Sequence, residues 1–145
     1  MVYRLFVETI EKNGEICWSY AYYNHQDFMV YKRFGKSQQT DVKKVILEVS
    51  LAALTYFERS IRRRYYDEHF STRIDEDYVT LFTHYPKITE VAEEYKKHLS
   101  LDSVKENTDM WEALTPFFIQ KTMMFENSVD EKFINIGKEL AHQAL

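Results

Sequence analysis

Cysteine, glycine and proline are all scarce in this 145-residue chain, which has one cysteine, three glycines and two prolines. The lone thiol, Cys17, excludes a disulfide framework and any zinc site built from several cysteines. So few glycines and prolines exclude collagen-like, low-complexity and flexible-linker architectures. No apolar run approaches the roughly 20 residues that a membrane-crossing helix needs. The opening residues also lack the small-residue cleavage site of a secretory signal, so the expected compartment is the cytoplasm and no membrane partner is expected. An excess of positive charge is missing too. The formal net charge of −4 argues against sequence-blind nucleic-acid binding by the whole surface, though not against a local basic patch.

What remains is the composition of a globular protein, with 45% hydrophobic and 29% charged residues. The length suits a single domain, residues 1–145, with a core that needs no staples. Aromatic residues are plentiful at 16%, eleven of them tyrosines. That favours strands whose half-buried faces carry rings, with a stacking surface for bases as the other reading.

The hydrophobic pattern begins with period two. Val2 to Ile10 reads as a strand, and Asn13-Gly14 is a strong signal for a tight hairpin because both residues tolerate positive φ. In the stretch from Ile16 to Tyr23, Ile16, Trp18, Tyr20 and Tyr22 share one face, while Cys17, Ser19, Ala21 and Tyr23 share the other. After a polar turn over residues 24–27, Phe28 to Phe34 supplies a third strand. The period then changes to three and four through Val42, Val45, Ile46, Val49, Ala53 and Phe57. This predicts an amphipathic helix capped by Thr40 or Asp41 and running to about Arg63. Residues 67–77 read as a polar loop and Tyr78 to Thr83 as a buried strand. A helix is expected from Pro86 to Leu99, and another from Asp109 that Pro116 should kink or split. Met123 to Phe125 is a short strand, and Ser128 to Glu131 a capping box that opens a last helix. Three strands, helix, strand, two helices, strand, helix give an α/β architecture. Its expected form is a mixed five-stranded sheet, an antiparallel meander followed by strands with crossover helices, with helices on the faces.

This order resembles the ribonuclease H-like fold, and local stretches are similar as well. Leu5-Phe6-Val7-Glu8-Thr9 resembles the family strand that ends in its first catalytic aspartate, with Glu8 in that place. The helix carrying Glu48 and Leu51-Ala52-Ala53-Leu54 resembles the one that bears the catalytic glutamate. Leu81-Phe82-Thr83-His84 resembles the fourth strand, with His84 where a second aspartate would stand. Asn107-Thr108-Asp109-Met110-Trp111 is similar to the family's asparagine-x-aspartate-x-tryptophan helix start. In the last helix, Lys138 or Gly137 falls where the final aspartate belongs. The resemblance implies a site in which clustered carboxylates hold two Mg²⁺ ions. Glu8, Glu48 and His84 are therefore the candidate catalytic positions, read as vestigial, and no metal site is expected. A trio of two carboxylates and an imidazole suits one Mn²⁺ or Zn²⁺ better than Mg²⁺; the alternative is a polar cluster that pairs with itself.

The basic residues form a second constellation. Arg59, Arg62, Arg63 and Arg64 gather near the end of the long helix, beside Tyr65 and Tyr66. Lys43 and Lys44 open that helix, and Lys32, Arg33 and Lys36 fall in or just after the third strand. Arginine forks grip phosphate oxygens and tyrosines stack on bases, so Lys43, Lys44, Arg59, Arg62, Arg63 and Arg64 are the candidate nucleic-acid contacts. The competing reading is dipole compensation and pairing with the acids of residues 67–77. Cys17 reads as a small buried hydrophobe.

Three functions follow. The first is a non-catalytic ribonuclease H-like domain, needing no cofactor, that binds nucleic acid or a protein that processes it. The second is a divergent nuclease acting on RNA or RNA–DNA hybrid with Mg²⁺ or Mn²⁺, through Glu8, Glu48 and a further acid such as Asp130 or Glu131. The third is a protein-interaction or self-assembling module whose meander aromatics stay exposed, as in a homo-oligomer.

Overall fold

The structure, a computed structural model, describes residues 2–61, 78–98, 104–119, 123–127 and 130–145. Strand β1 (Val2–Lys12) turns through Asn13 and Gly14, both at positive φ, into β2 (Glu15–Tyr23). These are the backbone angles of a hairpin turn whose twist matches its strands. A second turn follows, in which the Asn24 side chain accepts from the backbone N–H groups of Gln26 and Phe28. It leads to β3 (Met29–Ser37), which starts and ends later than the hydrophobic run alone indicates. Helix α1 (Val42–Tyr56) is capped by Asp41, whose carboxylate accepts from Lys43 N–H, and continues into a π-helical turn, Phe57–Ile61. The expected extension to Arg63 lies outside the described residues, as do the loop over 67–77 and residues 128–129. Then come β4 (Tyr78–Thr83), α2 (Pro86–His98), α3 (Thr108–Ile119), β5 (Met123–Asn127) and α4 (Glu131–His142).

All five strands join in one sheet, in the order β3-β2-β1-β4-β5. The β1–β2 and β2–β3 pairs are antiparallel, and β1–β4 and β4–β5 are parallel. Helices α1, α2 and α3 bury their apolar stripes on one face, where Leu5, Val7, Tyr20 and Tyr22 meet Leu47, Leu54, Ala92, Trp111 and Leu114. On the other face α4 covers Phe6, Ala21 and Tyr23 with Phe133 and Leu140. The two faces of β2 therefore divide as its alternation predicts. Each such fully buried side chain contributes on the order of 1.5–3 kcal/mol.

Two local expectations are corrected. Pro116 does not split α3, which runs through it. Its ring costs one hydrogen bond, to the carbonyl of Glu112, and both residues are exposed, on the solvent side of the helix. The cap of α4 is Asp130 rather than Ser128. Its carboxylate accepts from Lys132 N–H, a stronger acceptor than a serine hydroxyl. Cys17 is buried and unpaired, a packing residue. The aromatic meander is mostly core, since Tyr20, Tyr22 and Tyr23 are all buried. No helix among the described residues is long and apolar enough to cross a membrane.

Candidate functional site

The parallel pairing of β1 with β4 builds the site. Phe6 lies opposite Phe82 in the register, and two residues further along each strand bring Glu8 beside His84, on the α4 face of the sheet. There Phe6 is stacked between Phe82 and Phe133, with centroids 4.8 and 4.5 Å away, a dry apolar wall behind the carboxyl group. Glu8 is 1% exposed. Its Oε2 forms a close ion-pair contact with Nδ1 of His84, whose ring is one-third exposed. Glu8 Oε1 has no hydrogen-bond partner among the described residues.

Helix α4 closes the other side. Ser19, paired with Glu8 across the β1–β2 ladder, donates its hydroxyl to the Gly137 carbonyl at 2.6 Å. A Cβ at Gly137 would come within 2.9 Å of Glu8 Cβ and closer still to Cγ, so only glycine lets the helix approach this far. Lys138, the next residue, is exposed at the rim. Burial pushes the Glu8 carboxyl above its ordinary value, and the pull of His84 and then of Lys138 only partly offsets this. Oε2 and Nδ1 are close enough for the imidazole to act directly on the carboxyl group. Chemically it is a buried carboxylate–imidazole dyad at the carboxyl end of two parallel strands, where α/β sheets place their sites.

Glu48 is not part of it. It is half-buried on α1, on the opposite side of the sheet, and lines a separate hollow with Trp18, Lys36, Gln39 and Ala52. No group of three or more His, Cys, Asp or Glu side chains able to hold a metal ion occurs among the described residues. With Gly137 and Lys138 on the α4 side of Glu8, the residues present do not fit a pair of hard divalent cations, which need a shell of oxygen ligands.

The basic candidates are scattered. Lys43 pairs with Glu106, and that carboxylate holds the lysine above its usual value. Both line a cleft of about 340 Å³ between α1, α2 and the start of α3, floored by Leu47, Ile88 and Trp111. Lys44 is half-buried, Arg59 is exposed in the π-helical turn, and Arg62, Arg63 and Arg64 lie outside the described residues. The resemblance places Gly137 and Lys138 at the same site as Glu8, but does not say how closely the backbone of α4 approaches it. The available signal for that approach is Gly137 inside an otherwise strong amphipathic pattern, since a helical glycine implies a close approach that outweighs its cost.

No family model matches the chain, and no curated protein matches it in sequence. Solved structures do match. A ribonuclease H1 from compost, crystallised with an RNA/DNA hybrid, shares 12% identity at a TM-score of 0.69, over 98% of this chain and 95% of that one. The ribonuclease H1 of the halophilic archaeon Halobacterium salinarum shares 8% identity at a TM-score of 0.63, over 99% and 97% of the two chains. The N-terminal ribonuclease H domain of a Mycobacterium tuberculosis protein, solved as a fusion, shares 7% identity at a TM-score of 0.69, over 99% and 92%.

Proposed function

We propose that this chain, whose fold is ribonuclease H-like, is a non-catalytic domain that binds nucleic acid or a protein that processes it. The observation that carries the reading is the closed Glu8–His84 dyad. At the end of the central strands, where metal-dependent chemistry would need converging carboxylates, the one buried acid among the described residues is held by an imidazole and covered by the backbone of α4 at Gly137. Glu48 lies on the other side of the sheet, and a cation, Lys138, occupies the rim. Neither a metal-bound water nor a stabilised leaving oxygen has a place in that arrangement. The matched compost enzyme was crystallised with an RNA/DNA hybrid, which makes such a duplex the natural first probe for this chain.

The test is fluorescence anisotropy of a labelled RNA–DNA hybrid titrated with the protein in Mg²⁺, followed by a denaturing gel of the same samples. Binding with the probe intact is expected. Cleavage that needs a divalent ion and disappears in Glu8→Gln would overturn the non-catalytic reading. Failure to bind at low salt would turn the search to a protein partner.

A further inference from the structure

Strand β3 is one edge of the sheet, and its two faces differ. Tyr31, Arg33 and Gly35 pair with Tyr22, Tyr20 and Trp18, so they share the α1 face. There Tyr31 stacks on Tyr56 with centroids 3.9 Å apart, and the Trp18 indole lies over Gly35, filling the place of a Cβ. Lys32, Phe34 and Lys36 pair with Ala21, Ser19 and Cys17, which puts them on the α4 face by register, with Lys36, near the end of this edge strand, also bordering the hollow beside Glu48. Helix α4 is centred on β1 and β2 through Phe6, Ala21, Tyr23 and the Ser19–Gly137 bond. All three side chains are exposed, although α4 also reaches β3.

Exposed large apolar residues are concentrated here. Of the six among the described residues, Phe28, Met29, Val30 and Phe34 fall in this one stretch, with Phe34 39% exposed. Strand β3 carries three cations and no carboxylate, in a chain whose net charge is −4. The ion pair from Lys36 to Glu15, at 3.4 Å, joins two exposed side chains and is easily exchanged for a stronger anion.

We infer that this face of β3 binds single-stranded nucleic acid, with Lys32 and Lys36 on phosphates and Phe34 stacked on a base. The inference rests on the reading of the chain as a nucleic-acid-binding domain and names the surface and the form of nucleic acid. Side chains at alternate strand positions stand perpendicular to the sheet, so the two lysines rise on either side of the ring, about 6.7 Å from it along the strand. Cation, aromatic ring, cation is the pattern that holds a backbone and stacks an unpaired base without regard to sequence. The charge pattern disfavours a second copy laid edge to edge, which would bring two sets of cations together with no acid between them. A peptide added at the edge would be read by backbone groups in the plane of the sheet, leaving these three side chains, which leave that plane, without a role.

The experiment uses the full chain and a fluorescein-labelled oligo(dT) 12-mer, with the RNA–DNA hybrid run in parallel. Binding of the 12-mer that weakens with salt is expected. Lys32→Gln with Lys36→Gln should weaken it at least tenfold and make the salt dependence shallower by about 1.4 in the log–log slope, the share of two phosphates on a single strand. The arginine pair at the same positions should restore both. Phe34→Ser should cost about tenfold with the salt slope unchanged; Phe34→Leu, which keeps an apolar side chain without an aromatic face, should lose as much. A 12-mer that binds equally well to all these variants overturns the surface. Hybrid binding without 12-mer binding overturns the single-strand inference and leaves the wider reading standing. Failure of both probes at low salt overturns the two together. Poly-glutamate competing as strongly as oligo(dT), with Phe34→Leu silent, would replace nucleic acid by an acidic protein.

Discussion

At the residue scale the dominant feature is a buried acid with one oxygen against an imidazole and the other without a partner among the described residues. Glu8 keeps its place because His84 reaches it from β4 and because Ser19, its neighbour, spends its own hydroxyl on α4. A carboxyl raised by burial prefers its protonated form in the folded state. The stability it contributes is therefore complete below the ordinary carboxyl range and is lost as pH rises through the higher folded value. Urea melts of wild type and Glu8→Gln from about pH 4 to about pH 8 should show the wild type losing stability relative to the variant as pH rises. A difference that stays flat across this range would mean that Glu8 titrates as an exposed acid does. Glu8 and His84 were visible in the sequence as candidates, because a lone acid ending an apolar strand and a histidine ending another stand out. That they pair with each other stood as one of two readings, and which of the trio pair depends on the register of a parallel ladder between segments far apart in the chain.

At the scale of elements, the sequence announced most of what forms. The Asn13-Gly14 turn, the two faces of β2 and the cap at Asp41 are local, and local signals survive folding. The differences came where a neighbour or the solvent decides: Pro116 stays inside α3 where it and Glu112 face solvent, and Glu48 falls on the face that α1 covers. Packing of α4 against the sheet is the sharpest case. Alanine in a helix interior ordinarily gains about 1 kcal/mol over glycine. Here Gly137→Ala should instead lose roughly 1–3 kcal/mol, because the new methyl meets Glu8 and overpacks a closed contact. Thermal unfolding monitored by circular dichroism checks the sign, and a variant more stable than wild type would show that α4 can back away at no cost.

For the whole molecule, the sheet sorts its chemistry by face. One side holds the larger core under three helices, while the other carries the dyad and, beyond α4, the basic strip of β3. If no divalent ion is held, Mg²⁺ at about 10 mM should leave the midpoint of thermal unfolding within about 1 °C of its value in EDTA. A site filled to a hundred times its dissociation constant would add about 2.7 kcal/mol, a rise of several degrees. Such a rise would require a set of ligands beyond Glu8 and His84.

The position of β1 in the middle of the sheet has a kinetic consequence. Its partner on one side, β2, follows after a two-residue turn, whereas β4 on the other side arrives only after residues 13–77, nearly half the chain, have intervened. Closing so long a loop is slow compared with forming a hairpin. The meander therefore precedes the parallel ladder, and in that interval the strand carrying Leu5, Phe6 and Val7 presents a bare apolar edge. Such an edge pairs readily with another unfinished molecule. The chain is most exposed to aggregation while it is being made or refolded, and this hazard ends when β4 docks.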